Sequence, residues 1–168
     1  PLYRPNIFRA LKILAKIILW GALVTIILVG GAILLARWGG VRWTLIPQNV
    51  RHPDHYWIVF VSSVLWAPII EELTYRGVVQ ARLRQCVGIW PAIFLSALTF
   101  WIYHWISFRT ITSPHHFGAG LLMAYSYERS RSLVAPIILH ALGNLILISG
   151  DLFYLTHRGF VERLLGYS

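Results

Sequence analysis

Two adjacent carboxylates, Glu71 and Glu72, stand inside an apolar stretch, Trp66-Ala-Pro-Ile-Ile-Glu71-Glu72-Leu-Thr-Tyr-Arg76. An ionised carboxylate in hydrocarbon costs roughly 2.5–3.5 kcal/mol on insertion scales. Such a pair must be neutralised by a partner, solvated in a cavity, or used. Two more apolar segments carry polar groups of the right kind to join them: Phe100-Trp-Ile-Tyr-His104 and His140-Ala-Leu-Gly-Asn144. Residues four apart share a helix face. Glu72 and Arg76 can therefore pair along one helix, and His140 and Asn144 can converge on one point. Glu71 lies about 100° around the helix from Glu72 and is left free, with Tyr75 one turn on. A carboxylate and a histidine within reach of one water make a general base. A second histidine beside an amide donor can stabilise an oxyanion. Together they equip a site for peptide-bond hydrolysis by activated water. Ser62, Ser63 and the single cysteine, Cys86, have no adjacent base to make a covalent nucleophile.

The elements that must hold these groups are membrane helices. Of 168 residues, 57% are hydrophobic and 12% charged, with a mean hydropathy of +0.63, against about 25% charged in a soluble domain. The expected fold is all-α: a single integral-membrane domain over 1–168, a polytopic bundle of about five transmembrane helices plus a short interfacial C-terminal helix. The helices are expected at about Ile7–Ala36, Tyr56–Leu83, Pro91–Phe108, Ser113/Pro114–Glu128 and Ser132–Ser149, with an amphipathic tail over roughly Phe153–Leu165. The first apolar run is too long for a cleaved signal peptide. Helices four and five lie near the lower limit of about 17 residues for a span. Gly118, Gly120, Ala124 and Gly143 suit close helix packing. Pro68 removes the helical partner of the Val64 carbonyl and favours a kink.

Net charge is +9, but the basic residues fall between apolar runs. That pattern suits anionic headgroups and the positive-inside rule, and no nucleic-acid face is expected. More Lys and Arg fall inside if the N-terminus is cytoplasmic. One cysteine excludes an intrachain disulfide. Counting helical rise from the inner ends of their helices puts Glu71, His104 and His140 at depths of about 18, 20 and 12 Å. All three can meet near the midplane, slightly to the inner side.

Glu71-Glu72-x-x-x-Arg76, then Phe100-x-x-x-His104, then His140-x-x-x-Asn144 resemble, in that order, the three motifs of the CAAX-protease and bacteriocin-processing (CPBP, or Abi) family of type II CAAX prenyl endopeptidases. The resemblance covers a core of about residues 59–147. It implies a glutamate-dependent intramembrane endopeptidase. Glu71 with His104 would activate water, Glu72–Arg76 would be a structural ion pair, and His140 with Asn144 would form the oxyanion site. Tyr75, Phe100 and Phe117 are candidate linings of the substrate site. No cofactor is expected. Zinc on Glu71, His104 and His140 is the less favoured alternative, since no His-Glu-x-x-His and no cysteine cluster occur. Small members of the family resemble the myxosortase-like group, which cleaves C-terminal sorting tails. The implied partners are the bilayer and a membrane-anchored protein or peptide substrate, and the implied location is the bacterial inner membrane. Two rival readings are a proton-coupled carrier, which paired broken helices or inverted repeats would favour, and a non-catalytic immunity or scaffold protein of the same fold.

Overall fold

The computed structural model describes residues 52–108 and 115–166, with single helical positions between 8 and 38. All the described elements are helical, with no strand among the described residues. The expected first helix, Ile7–Ala36, is described only at those scattered positions, and the expected cap at Ser113–Pro114 lies outside the described residues.

The first element, α1, runs without interruption over Pro53–Val87 and is 35 residues long. It opens on a 3₁₀ turn, Pro53–His55, where proline at the first position lacks only an amide that would have no partner there. Within α1 the ladder passes into a π register twice. Val61–Trp66 and Leu73–Gln80 are π-helical, and Ala67–Glu72 between them is α-helical. The first π stretch corrects the expectation for Pro68. The amide of Ala67 bonds to the carbonyl of Ser62, five residues back. In that register Pro68 stands opposite Ser63, not Val64, so Ser63 loses the helical donor. The amide of Asn144 supplies one instead, with Nδ2 2.7 Å from the Ser63 carbonyl oxygen. A polar side chain from a neighbouring helix thus satisfies the broken ladder, as a low-dielectric environment demands.

Gly88 ends α1 at φ 83°, a conformation that a residue with a Cβ rarely adopts. Then α2 spans Ile89–Phe108, two residues earlier than Pro91 suggested, with that proline in its first turn. Helix α3 covers His115–Ser130 and has 16 residues. Helix α4 covers Val134–Thr156 and has 23. The expected end of this helix at Ser149 is corrected: the ladder continues through Gly150 and Asp151. A bend at His157 then leads into α5, Arg158–Leu164. Phe153–Thr156, expected in the tail, belong to α4, where Phe153 stacks on His157 with ring centroids 4.7 Å apart. Three helices, α1, α2 (as Ile89–Ser107) and α4, are long and apolar enough to cross a membrane.

The bundle is held by two small apolar clusters and one close backbone approach. Val64 of α1 packs with Ile148 of α4, and Tyr75, Phe100 and Met123 join α1, α2 and α3. Most other large apolar side chains, among them Trp57, Trp66, Phe94 and Ile146, face outward. That is the distribution expected where lipid is the solvent. Of the small residues, Gly120 makes the tight crossing: a Cβ there would lie 3.2 Å from Ala97 Cα. Gly118 and Gly143 have open space beside them. The α3–α4 corner is short and tied. Arg131 takes a left-handed φ of 56°, its amide bonds to the Tyr127 carbonyl, and the Ser130 hydroxyl bridges to Ser132. This corner fixes where α4 starts and hence the height of His140.

Candidate active site

Helix α1 presents Glu71 and Glu72 at the junction between its α-helical stretch and the second π stretch. Glu72 is fully buried, and so is Arg76 one turn on. Arg76 Nη1 is 3.0 Å from Glu72 Oε1, and Nη2 donates to the Gly120 carbonyl at 2.9 Å. The guanidinium also lies 5.0 Å from the centre of the Phe100 ring, close enough for a cation–π contribution. Glu72 Oε1 accepts a second hydrogen bond, from His140 Nδ1 at 2.8 Å. The expected pairing is therefore present, and it extends one residue further, onto α4.

Glu71 lies on a different face and reaches two imidazoles. Its Oε2 is 3.7 Å from His104 Nε2 and 3.8 Å from His140 Nε2. The Glu71 side chain is 22% exposed, against 10% and 8% for the two histidines. Among the described residues this oxygen accepts no direct hydrogen bond. Both separations are too long for one and suit groups that share a small molecule between them.

The far side of each ring fixes its tautomer. His104 Nδ1 is 2.9 Å from the Phe100 carbonyl, which can only accept, so Nδ1 carries a proton and, in the neutral ring, Nε2 faces Glu71 with a lone pair. His140 Nδ1 likewise donates to Glu72. One imidazole is therefore oriented by a backbone carbonyl of its own helix and the other by a buried, Arg-neutralised carboxylate. Second partners of this kind are how a site holds a ring in one pose.

The remaining expected residues fall in different places. Phe100 is buried and packs against His104 and His140, with centroids 4.3 and 5.8 Å apart. Tyr75 meets Phe100 edge-on at 5.2 Å. Phe117 packs on Phe94 and Trp101, on a face of α2 one residue round from Phe100 and His104. Asn144 Nδ2 donates to Ser63, as described, which leaves its second amide proton for other use. Sequence reasoning missed His116, whose ring lies 5.2 Å from that of His104. It sits at the start of α3 and belongs to no motif, so only the fold brings it there. It also missed a polar layer below Arg76: Gln80 donates to the Ala124 carbonyl at 3.1 Å and to Glu128 at 3.3 Å. The signal for that layer was available in the four-residue steps Glu72, Arg76, Gln80, Arg84.

No curated protein and no solved structure matches the chain. A family model does: type II CAAX prenyl endopeptidase Rce1-like matches residues 53–146, which begins at the first residue of α1 and takes in all three motifs. That match spans more than half of the chain, which therefore belongs to the Rce1-like family of type II CAAX prenyl endopeptidases, a family of membrane proteases.

Proposed function

We propose that the protein is a glutamate-dependent intramembrane endopeptidase that hydrolyses a peptide bond near the C-terminus or membrane anchor of a membrane-associated protein. The observation that carries this reading is Glu71 Oε2 facing the Nε2 atoms of His104 and His140 at 3.7 and 3.8 Å. A water held by Glu71 and the His104 lone pair gives up a proton to this pair as its oxygen attacks the scissile carbonyl carbon. The carbonyl π-bond pair moves to oxygen, and the tetrahedral oxyanion forms next to His140, whose Nε2 donates when both ring nitrogens carry a proton, with the second amide proton of Asn144 as a further donor. Collapse breaks the C–N bond. The captured proton passes to the leaving amine, and the base is restored.

The Glu72–Arg76 pair takes no part in proton transfer in this scheme. It neutralises one of the two adjacent acids, so that only Glu71 is available as a base, and it orients His140. No covalent intermediate is needed. The proposed reaction uses no metal: the chain has no His-Glu-x-x-His and no cysteine cluster. Zinc on Glu71, His104 and His140 is the alternative that metal removal tests. We place the protein in the bacterial inner membrane with its N-terminus cytoplasmic, and its substrate enters from the bilayer, for which C-terminal sorting tails are the preferred class.

Mass spectrometry of membrane-anchored proteins from cells carrying either wild type or Glu71→Gln tests the assignment. At least one anchored protein is expected to lose a C-terminal segment in the wild type only, and to do so after exhaustive metal removal from the purified enzyme. Identical anchored proteomes in the two strains would overturn the peptidase reading. Cleavage lost on metal removal and regained with zinc would overturn the metal-free chemistry.

A further inference from the structure

Below the ion pair, the inner half of α1 carries a second set of polar groups that no motif includes. Glu72, Arg76, Gln80 and Arg84 recur every four residues, and α3 answers them in the same steps. Arg76 Nη2 donates to the Gly120 carbonyl at 2.9 Å, Gln80 Nε2 to the Ala124 carbonyl at 3.1 Å, and Gln80 Nε2 also to Glu128 Oε1 at 3.3 Å. Arg84 Nε closes the series on Glu128 Oε2 at 3.4 Å. Gln80 is fully buried, and the Glu128 side chain is 7% exposed. Burying an amide and a carboxylate has a desolvation cost unless each is well bonded, and apolar residues would pack α1 on α3 without it. Gln80 also terminates the second π stretch, Leu73–Gln80, which contains Arg76.

We propose that Gln80 and Glu128 form a positioning pair for the active site, acting through Arg76 and Glu72 on His140. The pair fixes the height of α1 against α3 at the turn beneath Arg76. That sets where the guanidinium holds Glu72 Oε1, which in turn accepts the Nδ1 proton of His140 at 2.8 Å. The ring is thereby aimed at Glu71. The chain runs from a carboxylate near the inner end of α3, through two residues of α1, to the α4 imidazole. This inference rests on the proposed peptidase reading for its kinetic consequence, but its geometric part does not need catalysis.

The test uses the full-length protein in detergent or lipid. Gln80→Met keeps the volume and removes the donor. Glu128→Leu removes the acceptor, and Glu128→Gln restores it. Ile148→Ala, in the separate Val64 cluster, supplies a control destabilised by packing alone. Two quantities are read: kcat and KM for cleavage, and the Nδ1 proton resonance of His140 in histidine-labelled protein, assigned with His140→Gln. Gln80→Met and Glu128→Leu are expected to move the resonance and lower kcat about tenfold, with KM within about twofold. Glu128→Gln is expected to stay near wild type, and Ile148→Ala to change melting temperature without moving either reading. An unmoved His140 resonance in Gln80→Met, or the same movement in Ile148→Ala, would overturn the proposal. The resonance is also read in Glu71→Gln carrying Gln80→Met. Movement there relative to Glu71→Gln alone, with no cleavage by the wild type, would leave the positioning pair standing and overturn the peptidase reading instead.

Discussion

Two regions of the molecule carry an Arg–Glu pair four residues apart, and they behave as different objects. In the middle of α1, Glu72 and Arg76 are both fully buried, and each has a further partner on another helix: His140 for the carboxylate and the Gly120 carbonyl for the guanidinium. On α5, Arg158 Nε and Glu162 Oε1 come closer, 2.7 Å, yet the side chains are 70% and 35% exposed, and among the described residues no side-chain hydrogen bond or ion pair ties them to another helix. Distance alone would rank the tail pair first. Water screens that pair and entropy opposes it, so its net contribution is small. The buried pair has a large desolvation cost, and it persists because every member of a three-helix network depends on it. What separates an ornament from a working part here is the number of helices a pair ties together.

The largest effect is expected from breaking the buried pair on one side only. Arg76→Ala leaves Glu72 uncompensated and frees the Gly120 carbonyl. A loss of about 3–5 kcal/mol in stability is expected, together with loss of activity, measured by thermal unfolding in detergent and by cleavage. A wild-type melting temperature in this variant would erase the contrast between the two regions.

A smaller effect is expected in the N-terminal half of α1, where Asn144 satisfies the carbonyl that Pro68 orphans. Asn144→Ala leaves the Ser63 oxygen without its donor in a partly buried position, which costs about 1–3 kcal/mol. The melting temperature should therefore fall along with kcat. A drop in kcat with unchanged stability would make Asn144 a purely chemical residue and remove its structural half. The smallest effect belongs to the tail. Glu162→Gln should leave both unfolding and cleavage where they were, and a destabilisation comparable to that of Arg76→Ala would show that exposure does not discount the α5 pair.

Much of the site was legible because helices translate spacing into direction and depth. The four-residue step between Glu72 and Arg76 named the pair, and counting rise from the helix ends put Glu71, His104 and His140 near the midplane, at about 18, 20 and 12 Å. The geometry brings these three together within 4 Å-scale contacts. Less legible were features in which one helix compensates for another. Nothing in Val61–Trp66 announces a π register, so the orphaned carbonyl was placed one residue late, at Val64. His140 and Asn144 do share a face, but a donor finds the nearest unpaired acceptor, and for Asn144 that acceptor was created by a proline on α1. The helix expected to end at Ser149 runs on through Gly150 and Asp151. Apolar residues beyond them carry the helix on to Thr156. The Gln80–Glu128 layer escaped although the steps Glu72, Arg76, Gln80 and Arg84 are regular, because half of what they meet on α3 is the Gly120 and Ala124 carbonyls, which no sequence pattern marks.

The central claim is that one of two neighbouring acids is a base and the other is not. Its most direct measurement is the cleavage rate of purified Glu71→Gln against wild type on the same membrane-anchored substrate, with thermal unfolding recorded on both. The amide is nearly isosteric but cannot take a proton from water. The account predicts cleavage reduced to background and an unchanged unfolding transition. Cleavage at the wild-type rate in a folded Glu71→Gln protein would contradict it.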